Sequence, residues 1–143
     1  MPLLFSAGAV VFREENGDIS YLLIKNSLGH WEFPKGVIGD EIKGEKAKDA
    51  VVRECKDETG IDDLIFVEGF RQSIHYFFKK GGETFSKRVT FFLAETKKKD
   101  IKLSPEHTEY AWLSYEEALD VITFDNSKGI LEKADAFLKK SKK

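Results

Sequence analysis

The sequence predicts an α/β fold, an α/β/α sandwich in which a central mixed sheet carries helices on both faces, and three observations lead there. Segments with strand character, FSAGAVVF, ISYLLIK, LIFVEGFRQSIHYFF and RVTFFLAE, recur along the chain. An amphipathic helical segment, residues 46 to 59, is inserted after the first two. Two further helical segments, SYEEALDVI and NSKGILEKADAFLKK, close the sequence. Such an architecture hosts many activities, so function must be read from particular residues.

The strands follow from alternation of apolar and polar positions and from their β-branched and aromatic content. ENGD between the first two is a hairpin turn, because Asn-Gly tolerates the positive φ that short hairpin turns demand. The third and fourth strands are expected to pair through KKGGETFSK. Ser114 is placed as the N-cap of SYEEALDVI. No repeat, low-complexity linker or composition break divides the 143 residues. That length closes one sizeable core, so one domain spanning 1–143 is expected. The basic end KKSKK, residues 139–143, reads as a frayed, solvated tail.

Twenty-three basic and 25 acidic residues leave a formal charge of −2, which provides no field to draw nucleic acid or a membrane surface. The expected partner is therefore a small molecule held by a local site. Cys55 has no second cysteine to pair with, and MPLLFSAGAVVF lacks the basic flank and cleavage site of a signal peptide. With no apolar run long enough to span a bilayer, a cytoplasmic location is expected.

The stretch KAKDAVVRECKDETGI, residues 46 to 61, carries the most chemistry. With about 100° per residue and Ala47 at the origin of a helical wheel, Ala50, Val51 and Cys55 fall within roughly 80° of it, on the face that packs against the sheet. Glu54 and Glu58 land about 20° to either side of the same origin, whereas Asp49, Arg53 and Lys56 lie opposite. Solvation at a lifting helix end is one explanation. Turned toward a cleft, however, two carboxylates about 6 Å apart repel by about 3 kcal/mol at an effective dielectric near 20, at the negative end of the helix dipole. Such a pair calls for a cation. All-oxygen donors select Mg²⁺ or Mn²⁺, ions that bind phosphates and acidify water.

Gly39, five residues, Glu45, seven residues and then RECKDETGI resemble the Nudix box, G-x5-E-x7-R-E-U-x-E-E-x-G-U. Gly39, Glu45, Arg53, Glu54, Glu58 and Gly60 match its fixed positions, a coincidence expected by chance about once in 10⁷ windows. One position departs: Asp57 stands where the family has its penultimate glutamate. The resemblance implies a loop-helix-loop catalytic box in which Glu54 and Glu58 hold the metal, with the Gly39 carbonyl, Asp57 through water, and Glu106 assisting. It implies that Arg53 orients Glu54 and the loop, and that Glu45 supports the loop or a further metal. Either Glu54 or Glu106 qualifies as the base.

Outside the box, HWEFPKG resembles diadenosine tetraphosphate hydrolases, in which a histidine and the lysine of PKG approach the phosphates; here these are His30 and Lys35. Trp31 and Phe33 alternate as core residues of a strand that Pro34 ends. SKRVTFFLAE resembles a strand of the same enzymes in which the position of Lys87 faces substrate, and PEHTEYAWLSYEEAL supplies Glu106. Tyr76 and Phe124 are candidate walls of an adenine slot, the alternative for either ring being core packing. The resemblance thus implies a nucleoside polyphosphate hydrolase, preferentially cleaving diadenosine tetraphosphate to ATP and AMP. Three other readings stand beside it: a pyrophosphohydrolase of RNA 5′ ends, a hydrolase of diphosphoinositol polyphosphates, and a catalytically silent domain that binds nucleotide or RNA.

Overall fold

The computed structural model describes residues 1–39 and 43–141. Among the described residues, eight strands form one mixed sheet: β1 (Leu3–Glu15), β2 (Asp18–Asn26), β3 (Trp31–Glu32), β4 (Lys35–Val37), β5 (Ile65–Phe66), β6 (Gln72–Lys80), β7 (Glu83–Glu95) and β8 (His107–Leu113). The helices are α1 (Ala47–Thr59), α2 (Tyr115–Val121) and α3 (Asp125–Ser141).

Alternation along β1 sorts the core onto two faces, as a strand buried on both sides must. Ala7, Ala9 and Val11 pack with Leu22, Ile24 and Phe92 against Ala50, Val51 and Cys55 of α1. Val10 and Phe12 pack with Tyr21, Leu23, Phe91 and Leu93 against Ala118 of α2 and Ile130, Leu131 and Ala134 of α3. The sandwich expected from the sequence is the observed one.

β1 and β2 join through Asn16 and Gly17, both at positive φ, with Glu15 opposite Asp18. β6 and β7 meet at Gly81 and Gly82, with Lys80 opposite Glu83, so both strands run into the segment expected to link them. The long third strand of the sequence reading is two strands, β5 and β6, separated at residues 67–71. β8 was not anticipated; it pairs with β2 from Tyr21 to Asn26, with Thr108, Glu109 and Tyr110 exposed in succession. The expected tail is also shorter, because α3 continues through Lys139, whose ammonium lies 2.7 Å from Asp135. Lys142 and Lys143 lie outside the described residues.

One irregularity of the sheet positions the site. β7 runs parallel along one edge of β1, while the other edge is divided between β2 at Phe12–Glu15 and β4 at Ser6–Gly8. β3 pairs in turn with Ile24 and Lys25 of β2. Residues 31 to 37 therefore wedge between two diverging strands, with Pro34 at the joint. Gly8 permits the close approach, since a Cβ there would lie 2.7 Å from the Pro34 carbonyl oxygen and 2.8 Å from Lys35 Cβ.

Candidate active site

α1 lies over this wedge. Gly60 ends the helix in the left-handed conformation, its N–H bonded to the Lys56 carbonyl, a geometry that glycine adopts without strain. Glu54 and Glu58 project from the last two turns toward β4. Glu58 Oε1 accepts the Lys35 backbone N–H at 3.1 Å. Glu54 crosses Gly36 so closely that a Cβ on that glycine would overlap its carboxyl group.

Arg53 organises the loop before the helix. Its Nε and Nη2 donate to the two oxygens of Glu45 at 2.8 and 2.9 Å, and Nη1 donates to Glu54 Oε1 at 2.6 Å. Nη2 also reaches the Val37 carbonyl at 3.3 Å. Glu45 Oε1 in turn accepts the N–H of Gly39, which sits at positive φ. Arg53 holds the Glu45 carboxyl below the usual carboxylate range, and its own guanidinium is held the more firmly protonated by Glu45.

Glu58 behaves oppositely. Burial pushes its carboxyl up to about 8, reinforced by nearby Glu54 and Glu32 and opposed by His107 and the Lys35 N–H. An acid so placed is disfavoured as an anion until a cation joins it.

Two cavities meet at this point. One, of about 240 Å³, is lined by Lys35, Ile74, Tyr76, Phe124, Asn126 and Ser127. The other, of about 340 Å³, is lined by Asn26, Ser27, Leu28, Glu32, Lys35, Glu58, Glu106 and His107. Lys35 belongs to both. His30 abuts the first cavity through an edge-on contact with Phe124, ring centroids 5.0 Å apart. Thr123, beside Phe124, accepts the Trp31 N–H at 2.9 Å, which ties the α2–α3 junction to β3.

Lys87 stands opposite Tyr76 in the β6–β7 register, half-buried. Burial, with the charge of Lys35, holds its ammonium below the ordinary lysine value. Asp57 is exposed and lines neither cavity. Two residues absent from the sequence-based candidates occupy central places. Glu32 approaches Lys35 Nζ at 3.5 Å and His107 Nε2 at 3.6 Å, and His107 bonds through Nδ1 to Ser104 Oγ at 3.1 Å. The carboxylate of Glu32 raises the His107 imidazole above its ordinary value. Of the two rings expected in the core of that segment, Phe33 is buried whereas Trp31 is half-buried.

Among the described residues no three His, Cys, Asp or Glu side chains converge as an ion site. The donor chemistry nonetheless fits Mg²⁺ or Mn²⁺: Glu54, Glu58 and Glu106 offer oxygen alone, and burial leaves the Glu58 carboxylate in need of a compensating charge.

Residues 2–133 match the model of the NUDIX domain. The chain belongs to the Nudix family. Among curated proteins, the asymmetrical bis(5′-nucleosyl)-tetraphosphatase of Rattus norvegicus is 36% identical, covering 94% of this chain and 95% of its own. The enzyme of that name from Caenorhabditis elegans is 31% identical at 93% and 95% coverage. An RNA pyrophosphohydrolase of Nitratiruptor is 31% identical over 66% of this chain and 64% of its own. Among solved structures, a binary complex of the C. elegans Ap4A hydrolase superposes with a TM-score of 0.82 at 30% identity, covering 95% of this chain and 98% of that one. The protein is thus a Nudix pyrophosphohydrolase. No helix among its described residues is long and apolar enough to cross a membrane.

Proposed function

We propose that the protein hydrolyses diadenosine tetraphosphate to ATP and AMP, using Mg²⁺ or Mn²⁺ in the cytoplasm. The observation that carries this reading is the junction at Lys35 of an aromatic slot with an acidic cavity. A nucleobase needs flat apolar walls, which Tyr76 and Phe124 offer, and His30 steadies Phe124 from its edge. From that slot a phosphate chain passes Lys35 and Lys87 and enters the cavity of Glu58 and Glu106. The relatives with tetraphosphatase names, similar over nearly their whole length, support the same substrate class.

Glu54 and Glu58 are the residues that would hold the metal, assisted by Glu106, by the Gly39 carbonyl and, through water, by Asp57. Bound there, the ion supplies charge neutralisation of the phosphate chain and acidification of the attacking water. Arg53 fixes Glu54, and the Lys35 N–H fixes Glu58, so both carboxylates are preset before substrate arrives. Water oxygen bonds to phosphorus as the bridging P–O bond breaks, and the released proton goes to Glu54 or Glu106. Lys35 and Lys87 bind the phosphate oxygens that gain charge in that step.

Product analysis with diadenosine tetraphosphate and with 5′-triphosphorylated RNA, each with Mg²⁺ and with Mn²⁺, tests the proposal. ATP and AMP in equal amounts are expected. Pyrophosphate release from RNA with the dinucleotide untouched would assign the protein to the RNA-directed branch, which the Nitratiruptor relative represents. Nucleotide binding without turnover in the parent protein would favour a silent domain.

A further inference from the structure

Glu32 is the acidic residue of the site to which the catalytic reading assigns no task. It sits on β3, largely buried, with neighbours from three other segments. Oε2 lies 3.5 Å from Lys35 Nζ; Oε1 accepts from Asn26 Nδ2 at 3.4 Å and lies 3.6 Å from His107 Nε2. A third carboxylate in a cavity that already holds Glu58 and Glu106 opposes the entry of a polyanion. Its ammonium partner, Lys35, is the residue that lines both cavities.

We infer that Glu32 is a positioning residue for polyphosphate recognition: in the free site it serves as an internal counter-anion that holds Lys35 at the junction of the two cavities, and the phosphate chain takes the ammonium from it on binding. This rests on reading the paired cavities as a polyphosphate site.

The consequence is selectivity by charge. A short or weakly charged phosphate chain competes poorly with a carboxylate already beside the ammonium. A longer chain, contacting Lys35 and Lys87 together, displaces it. Glu32 also offsets the mutual repulsion of those two lysines in the free site, since both the Lys35 and Glu32 charges act on Lys87. Without Glu32 the site is more positive and less selective.

The test measures binding of inorganic tripolyphosphate by calorimetry with a chelator present, so that no divalent ion contributes. Parent, E32Q, K35A and the E32Q/K35A double variant are compared. E32Q should bind about three- to tenfold more tightly than the parent, the size expected for removing one like charge from a partly solvated site. In the K35A background the same substitution should give a clearly smaller gain, the part due to direct repulsion of the polyanion by the carboxylate. Equal or weaker binding by E32Q, undetectable binding included, or a gain of the same size without Lys35, overturns the inference. Should E32Q lose its cooperative melting transition, E32A removes the same charge and must show the same gain. A parent that binds tripolyphosphate but leaves diadenosine tetraphosphate intact would sink the proposed activity while the Glu32 result stands or falls on its own.

Discussion

Gly36 and Glu54 share one volume: the glutamate carboxyl group lies where a Cβ of residue 36 would be. The relationship joins the strand wedged into the sheet to the helix above it, and makes the absence of a side chain on β4 a condition for the position of a carboxylate on α1. Gly36 is not among the glycines at positive φ, so alanine is compatible with its backbone. Gly36→Ala should therefore leave the fold in place and push Glu54 aside. Displacement of a reacting group by about 1 Å costs on the order of 10²-fold in rate. We expect kcat for the dinucleotide to fall by about that factor, with a cooperative thermal melt retained by circular dichroism.

Phe124 is nearly half exposed, at 48%, although it is a large apolar ring at a cavity mouth. Core packing does not account for that exposure, and under the proposed function a base stacks on the ring. Stacking on one base contributes about 1–3 kcal/mol, so Phe124→Ala should raise KM by about 5- to 150-fold while kcat changes little. Steady-state kinetics with diadenosine tetraphosphate separates the two. A fall in kcat at unchanged KM would remove Phe124 from the binding surface and return it to a packing role.

The elements were legible where local pattern and tertiary environment agree. Alternation in FSAGAVVF is a direct image of β1 buried on two faces, and the Ser114 cap appears with a reciprocal partner, Glu117, as a full capping box. β8 was hidden because Thr108, Glu109 and Tyr110 are exposed in succession, so the segment shows no in-out alternation, and its pairing partner β2 lies far away in sequence. The wheel gave Glu54 and Glu58 their direction because helical geometry converts spacing into direction, whereas Arg53, on the opposite arc, was picked out by resemblance to the box alone. Glu32 and His107 are 75 positions apart, and nothing local to either announces the other. The alternation that places Phe33 in the core also turns Glu32 to the opposite side, the one signal that was available for it.

Glu58 makes stability depend on pH when divalent ions are absent. Its carboxyl moves from an ordinary value of 4.5 to about 8 on folding, chiefly through burial. Below pH 4.5 the group is neutral in folded and unfolded chains alike, and its contribution is fully present. Between 4.5 and 8 the unfolded chain gives up the proton that the folded chain keeps, so stability falls as pH rises, and the loss levels off above 8. His107, raised by Glu32, acts in the same direction. In chelator, the melting temperature should therefore decline between pH 5 and pH 8, and Glu58→Gln should reduce that slope without abolishing it. Addition of Mg²⁺ at pH 7 should restore part of the lost stability in the parent and release protons, measurable in weakly buffered solution. A slope unchanged by Glu58→Gln would show that this carboxyl ionises normally in the folded chain.

On the opposite face of the sheet, Tyr21 and Asp135 form a contact that serves packing alone. The tyrosine hydroxyl donates to Asp135 Oδ1 at 2.6 Å, and the aspartate is 5% exposed, with Lys139 at its other oxygen. Burial, with the adjacent carboxylate, drives the phenol further above its ordinary value, so it stays a proton donor throughout the working pH range. Tyr21→Phe preserves the ring and strands one oxygen of a buried acid, at a cost of about 1–3 kcal/mol. For a chain of this size that corresponds to a melting temperature lower by about 3–9 °C. Neither residue lines the two cavities at Lys35, so kcat and KM should be those of the parent below the melt. Asp135→Asn combined with Tyr21→Phe removes the stranded charge and should recover part of the loss. No recovery would mean that the lost stability lay in the hydroxyl's own desolvation rather than in the aspartate left behind.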